Sequence, residues 1–492
     1  MNEMPISWVT RPFGELNKFY GANIDPANHP AERFELYSIP AFPTGKPEQP
    51  LGSEVGSTKQ LVEHNDVLIS KINPRINRVW QVGPPMGLRQ IASSEWIGFR
   101  NPQMDARFFR YYFTGPIFRD LLCSDVTGVG GSLTRAQPKR VSGFPLPVAP
   151  VNEQKRIADK LDTVFTRVDA VSARLARVAP LLKRFRQSVL AAATSGRLTE
   201  DWREAQISQD TNAKSELDET LQKQVGRLRV RGEAARVSPG DLCELPESWA
   251  WVLNHQLAED DSNAICAGPF GTIFKAKDFR EAGVPIIFLR HVGEGRYLTH
   301  KPGFMATEVW REHHQPYSVF GGELLVTKLG DPPGTACIYP QGVGTAMVTP
   351  DVMKMSVNPK AAESLYLMHF FNSPNSKKIV EALCFGVTRL RIDLSMFKTF
   401  PIPLPPRKEQ QEIVRRVETL FAFADRLEAR LQTAQTATER LTPALLAKAF
   451  RGELVPQDPN DEPASELLRR LQAASGHRVP ARAAGRGRKR SI

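Results

Sequence analysis

The chain has 492 residues, of which 41% are hydrophobic, 24% charged and 8% aromatic; at roughly 150 residues per domain this predicts about three folded units. This apolar content excludes disorder throughout, and no apolar run approaches the roughly 18 residues of a membrane helix, which excludes an integral membrane protein; the opening MNEMPISWVTRP lacks the pattern of a secretory leader, so a cytoplasmic protein is expected. Lysine plus arginine exceed aspartate plus glutamate by 65 to 53, a net charge of +12, which makes a polyanion the first partner to consider.

Residues 1–147 mix short β-rich runs, Gly and Pro with isolated aromatics, the texture of an α+β domain. Pro5 stands three residues before Trp8, and DVLISKI (Asp66 to Ile72) reads as a strand. Residues 148–203 form the first of two matched helical regions. Alternating prolines in FPLPVAPVNEQKRI favour an extended strand, and Glu153-Gln154 then suits the first turn of a helix, near its positive dipole end. Ile157, Leu161, Val164, Val168, Val171 and Leu175 step alternately by four and three, a coiled-coil seam that continues to Val189, and Gly196 marks the end. At 1.5 Å per residue such a helix is a rod of about 65 Å. Pro180 is expected to kink or break it.

Residues 204–245 read as a polar, partly helical surface linker. Residues 246–405 repeat the first domain in diverged form, with Pro246 three residues before Trp249 and ELLVTKL (Glu323 to Leu329) beside DVLISKI, so that Lys328 stands opposite Lys71. GVTRLR (Gly386 to Arg391) likewise matches GGSLTR (Gly130 to Arg135). Residues 406–456 repeat the helix. Phe144–Thr199 aligns with Phe400–Val455 without a gap, about a third of the positions being identical, and the seam recurs as Ile413, Val417, Leu420, Leu427 and Leu431, with Pro443 as its interruption and Gly452 as its end. Residues 457–492 pass from the amphipathic SELLRRLQ into GHRVPARAAGRGRKRSI and read as a basic, disordered tail. Cys123, Cys243, Cys266, Cys337 and Cys384 are scattered and odd in number, which suits reduced core thiols.

A domain, a long helix, a related domain and a matching helix resemble the specificity subunit of type I restriction-modification systems. The resemblance spans nearly the whole chain and is carried by the paired FPLPVAPVNEQKRI and FPIPLPPRKEQQEI and the paired SGRL and RGEL. It implies an α+β fold: two related α/β target-recognition domains separated by two long helices packed as an antiparallel coiled coil, with a pseudo-twofold internal repeat. It further implies that each domain reads one half of a bipartite, non-palindromic target in double-stranded DNA while the helices set the unread spacer. The implied partners are two modification subunits that methylate adenine with S-adenosylmethionine and restriction subunits that use ATP and Mg²⁺; no membrane is implied, and this chain needs no cofactor or metal. Alternatives are a specificity module of a single-complex restriction-methylation enzyme, a coiled-coil scaffold that does not bind DNA, and a methyltransferase or nuclease acting alone.

Motifs for catalysis are weak. GDPPGTA (Gly330 to Ala336) resembles an amino-methyltransferase motif, but Gly334 stands where the stacking aromatic belongs, and a turn is expected. GVGGS lacks the Lys-Ser/Thr of a P-loop, and His313-His314 lacks an HExxH pattern and is expected at the surface. The chain therefore reads as a non-catalytic subunit.

Base edges and phosphates are met by Arg, Lys, Asn, Gln, Ser and Thr in loops beside strands. Candidates in the first domain are Lys71, Asn73, Arg75, Asn77 and Arg78, then Arg135, Lys139 and Arg140. In the second they are Thr272, Lys275 and Lys277, in a glycine-rich loop resembling one in many recognition domains of the family, with Arg290, His291, Lys328, Arg389 and Arg391. The bland account of each is a solvated surface charge. Net charge is +3 over residues 1–152, 0 over 246–400, and +6 over both 153–197 and 476–492, which suggests that bulk phosphate attraction and base reading fall to different parts of the chain.

Overall fold

A computed structural model describes residues 4–124, 126–127, 134–206, 212–223, 242–269, 275, 278–383 and 390–475. The chain divides into two compact units. Unit 1 comprises residues 1–176 with 432–492, and unit 2 comprises residues 177–431. Each long helix therefore contributes its start to one unit and its end to the other.

Both long helices run unbroken for 43 residues, Val151–Ala193 and Arg407–Ala449, through Pro180 and Pro443. The expected break does not occur. Both prolines lie on the solvent side, and the carbonyls they free, at Ala176 and Glu439, belong to exposed residues that water can satisfy. Within each unit the start of one helix packs beside the end of the other, hence antiparallel: Ile157 and Leu161 join Leu446, Ala449 and Phe450 in unit 1, and Ile413 and Val417 join Val189, Leu190 and Ala193 in unit 2. These seam residues are buried because the helix ends enter the domain cores. Val164, Val168, Leu175, Leu420 and Leu427 are half-buried, and Leu431 is buried. Val171 is a correction to the expected seam: it is 44% exposed, in a stretch of helix that no domain core covers.

In unit 1 a four-stranded sheet runs Asn23–Ile24, Lys59–Leu61, Arg89–Ser93, Phe34–Tyr37, with the last pair parallel, and a three-stranded antiparallel sheet runs Val79–Gln81, Val67–Ser70, Trp96–Phe99. Behind the latter lie the helices Ala106–Thr114 and Pro116–Ser124, whose phenylalanines fill the core with Trp8. Unit 2 has a four-stranded antiparallel sheet, Ile265–Ala267, Val352–Met355, Leu324–Thr327, Ala336–Ile338, and a five-stranded mixed one that includes Val284–Ile287 and Ala346–Val348. The helices Ser364–Phe371 and Pro374–Leu383 accompany them.

The repeat extends to the way each domain is tied to the helices. The proline-rich segment before each helix is indeed a strand, pairing in the same register with the domain's first strand: Val9–Pro12 with Pro145–Val148, and Ala250–Leu253 with Pro401–Leu404. Prolines at alternate positions direct their missing N–H to one edge, leaving the intervening nitrogens for the partner. Glu153 and Glu409 are 1% exposed, and each accepts the indole N–H of its domain's tryptophan at 2.9 Å, Trp8 and Trp249 respectively. Gln154 and Gln410 accept the N–H that opens the following domain helix, from Asp105 at 3.0 Å and Glu363 at 2.8 Å. Their amides donate to Ala149 and Pro405. Dipole preference is thus a minor reason for the Glu-Gln pair; it is a buried hydrogen-bond clamp.

Pro5 and Pro246 then seat on the glycines that end the opposite helices. Gly452 and Gly196 have φ of 72° and 81°, and a Cβ on either would lie 2.3 or 2.4 Å from the proline Cγ, so glycine is needed for both conformation and space. Past these glycines the chain makes matching helices, Ala213–Leu221 and Ala464–Ser475, whose first N–H groups bond Ser248 and Ser7. Ala213 and Leu217 are buried in unit 2, and Ala464, Leu467 and Leu468 in unit 1. Two expectations change as a result. The 204–245 segment is more than a surface linker, and residues 464–475 are a folded helix rather than part of a disordered tail; residues 476–492 lie outside the described residues.

Candidate nucleic-acid interface

One constellation appears in both units. In unit 1 the strand Val67–Ser70 delivers Lys71, whose N–H bonds the Glu95 carbonyl at 2.9 Å and whose carbonyl accepts from Ala136 at 2.9 Å, while Ile72 bridges Arg135. In unit 2 the Lys328 N–H bonds the Asp351 carbonyl at 2.8 Å, its carbonyl accepts from Ile392 at 3.1 Å, and Leu329 pairs with Arg391. A lysine and an arginine far apart in sequence are thereby fixed side by side through their backbones, next to an acidic residue. The Lys71 ammonium donates to the Ser94 carbonyl, and Arg135, 57% exposed, reaches Glu95 at 3.1 Å.

Both lysines are half-buried, and their pKa values are shifted alike. Burial lowers Lys71; Glu95 opposes the shift and Arg135 adds to it. Burial likewise lowers Lys328, opposed by Asp393 and Asp351 and reinforced by Arg391. A desolvated cation with an exposed guanidinium beside it suits a phosphate or base-edge acceptor arriving from outside, because such an acceptor stabilises the charged lysine.

The turn after Lys71 carries the other unit 1 candidates. Arg75 is exposed, and Arg78 Nη1 lies 3.4 Å from the Ile72 carbonyl. Asn73 and Asn77 are left-handed, at φ 49° and 48°, and Asn77 donates to the Phe113 and Thr114 carbonyls, so its amide serves to hold the turn. Lys139 and Arg140 are exposed on the short helix Pro138–Val141 that follows Arg135.

Unit 2 departs from expectation at two candidates. His291 is 3% exposed; its Nδ1 accepts the Phe288 N–H at 3.2 Å and its Nε2 faces the His300 carbonyl at 2.9 Å. Burial lowers its pKa, so it is a neutral internal tie rather than a surface contact. Arg290 is exposed, but its guanidinium bonds the Lys301 carbonyl at 2.8 Å and lies 4.1 Å from the Phe288 ring centroid, so it too holds its own loop. Lys275 is exposed; Thr272, Lys277 and Arg389 lie outside the described residues. Glu95 and Asp351 were missed by the sequence reading, because strand pairing alone brings them to the lysines.

Two of the motifs considered for catalysis resolve into structure, and GVGGS (Gly128 to Ser132) lies outside the described residues. Gly334, at φ 93°, closes a turn by donating to the Thr327 carbonyl and hydroxyl. His313 is exposed, but His314 is buried, contrary to the expected surface position, because the helical turn over Trp310–His314 faces it inward. Cys266 and Cys337 are buried free thiols, raised by burial to about 11 and about 12, while Cys123 and Cys243 are half-buried and free. Among the described residues no cluster of three His, Cys, Asp or Glu is placed to hold a metal, and no helix is long and apolar enough to cross a membrane.

A family model described as the type I restriction modification DNA specificity domain matches residues 272–435. The chain is 30% identical over 354 residues to the type I restriction enzyme EcoBI specificity subunit of Escherichia coli, a match covering 70% of this chain and 66% of that relative. To the EcoKI specificity subunit of Escherichia coli strain K12 it is 28% identical over 409 residues, covering 78% and 73%. The chain thus spans about two thirds of the length of the first of these relatives. Its fold is similar to that of a chain solved in work on complex assembly and conformational transition of the type I R-M system, with a TM-score of 0.64 and 18% identity over 92% of this chain and 100% of that one. It is also similar to the HsdS subunit from Thermoanaerobacter tengcongensis, with a TM-score of 0.56 and 17% identity over 92% and 98%. With the repeated domains, the paired long helices and these relatives together, the chain belongs to the specificity subunits of type I restriction-modification systems.

Proposed function

We propose that this chain is the DNA-reading, non-catalytic subunit of a type I restriction-modification complex, each unit reading one half of a bipartite target and the long helices setting the unread spacer. The observation that carries the reading is the duplicated Lys–Arg pair, Lys71 with Arg135 and Lys328 with Arg391, at equivalent strand ends in two related but different domains. Two such readers recognise two different short sequences, whereas a symmetric dimer would read a palindrome. Methylation with S-adenosylmethionine, and translocation and cleavage with ATP and Mg²⁺, belong in this reading to modification and restriction subunits that assemble on the chain.

The test is a map of methylated adenines in cells carrying Arg135→Ala or Arg391→Ala. Each substitution should relax or abolish recognition in one half of the target only, at a cost of about 1–3 kcal/mol for a base contact. Changes in both halves from either single substitution would refute the two-reader assignment. Exchange of residues 1–147 for another recognition domain should likewise rewrite one half alone.

A further inference from the structure

The repeat is broken at one place. In unit 1, Asp162 on the first long helix is a hub: Arg107 Nη1 donates to it at 2.8 Å, Arg110 Nη2 at 3.0 Å, and the Tyr111 hydroxyl donates to it as well. Arg110 lies 4.3 Å from the Tyr111 ring centroid, and Tyr111 packs on Phe165 at 5.4 Å. The equivalent positions of unit 2 follow from the gapless alignment of the helices and from the tryptophan contacts Trp8–Phe108 and Trp249–Tyr366. Asp162 becomes Glu418 and Phe165 becomes Phe421, while Arg107, Arg110 and Tyr111 become Leu365, Met368 and His369.

The aromatic contact survives, with His369 on Phe421 at 5.8 Å. Both arginines are gone. In their place is a cavity of about 470 Å³ walled by Leu190, Leu365, Met368 and Phe421, with His369 and Glu418 also lining it. His369 is 5% exposed and its Nε2 has no hydrogen-bond partner, while Glu418 is exposed and has no cation or donor among the described residues. The other carboxylates of the rim are satisfied: Asp425 by Arg186 and Arg296, Glu428 by Arg186, Glu294 by Lys377 and Gln187. Arg186, 5.2 Å from the Phe421 centroid, is thereby held away from Glu418.

We propose that this cavity seats a guanidinium group, the side chain of an arginine on a modification subunit, which makes from outside the bonds that Arg107 and Arg110 make internally in unit 1. This rests on the assembly described under the proposed function. An aliphatic stem suits the Leu365, Met368 and Phe421 walls, Glu418 supplies the planar carboxylate, and the His369 Nε2 lone pair accepts a further N–H. Burial holds His369 down to about 4, so at neutral pH it places no positive charge against the incoming cation. The two halves of the repeat would then offer partners different seats, one closed and one open.

Two measurements on the full chain test this. In the first, ethylguanidinium is titrated while the histidine proton resonances are followed; the His369 signals should shift in the unaltered chain and stay in place in Glu418→Gln. Equal behaviour of the two would overturn the site. In the second, the affinity for the purified modification subunit is measured across salt concentrations. Glu418→Gln, at an exposed position that leaves the fold intact, should weaken binding about tenfold and reduce its salt dependence. Leu365→Arg with Met368→Arg should fill the seat as unit 1 does and weaken binding at least as much, with melting unchanged. Weakening by the double arginine variant alone would show an apolar occupant and refute the guanidinium. A modification subunit that fails to bind the unaltered chain would refute the assembly instead, and with it the arginine donor, leaving the ethylguanidinium titration to decide the site.

Discussion

Replacing the buried clamp carboxylates should destabilise the two units unequally, by an amount set by their partners. Glu409 accepts the Trp249 indole at 2.9 Å, the Thr199 hydroxyl at 2.7 Å and Arg203 Nη1 at 2.5 Å. Glu409→Ala leaves an indole N–H buried without an acceptor, about 1–3 kcal/mol, and strips a guanidinium that is only 21% exposed of its counter-charge, so the total should reach about 3–5 kcal/mol. Among the described residues Glu153 has only neutral donors, Trp8 at 2.9 Å and Gln457 at 2.5 Å, and burial pushes its pKa up, so the ionised carboxylate is already held at some cost. Glu153→Ala should therefore cost less, about 1.5–3 kcal/mol. Glu409→Gln keeps an acceptor for Trp249 while losing the charge opposite Arg203, and should fall between Glu409→Ala and the unaltered chain. Urea unfolding followed by far-ultraviolet circular dichroism reads the loss of stability for each variant. Equal losses for the two alanine variants, or a loss under about 1 kcal/mol for Glu409→Ala, would show that the Arg203 pairing does not contribute as argued.

Three further outcomes are expected. Gly196→Ala and Gly452→Ala should each destabilise by about 2–4 kcal/mol, combining a left-handed alanine with a clash against Pro246 or Pro5, and thermal melting should show similar losses for both. Truncation after residue 475 should leave melting unchanged, whereas truncation after residue 462 removes buried Leu467 and Leu468, about 1.5–3 kcal/mol each, and should lower it; equal melting would place the helix outside the core. Glu412 is held at about 2 by Arg415 first and Arg416 next, below its ordinary 4.5. A depressed carboxylate stabilises the fold above its unfolded pKa and loses that contribution as pH falls from 4.5 through about 2, so Glu412→Gln should lower stability at neutral pH, converge with the unaltered chain by about pH 2, and thereby flatten the acid limb in that window.

Much of this protein is written along the chain because its repeat is. Matching prolines, the Glu-Gln pair, the four-three apolar spacing and the terminal glycines each impose a local geometry, and two copies in one chain identify the helices, their ends and the domains between them. The Lys71/Lys328 and Arg135/Arg391 matches were visible as paired motifs for the same reason, whereas strand pairing alone brings each lysine beside its arginine. What the linear pattern could not supply is what meets what across the fold. Glu153 and Trp8 both stood out, yet only packing shows that they share a hydrogen bond. Apolar spacing marked Val171 like Ile157, but burial depends on whether a domain covers that turn. Pro180 and Pro443 looked like breaks, and the solvent beside their freed carbonyls decides otherwise. His291 and Arg290 read as DNA-contact candidates because a sequence does not show which carbonyls a loop folds back to offer. Local conformational preference is a property of the chain; desolvation and partner choice arise only when distant segments come together.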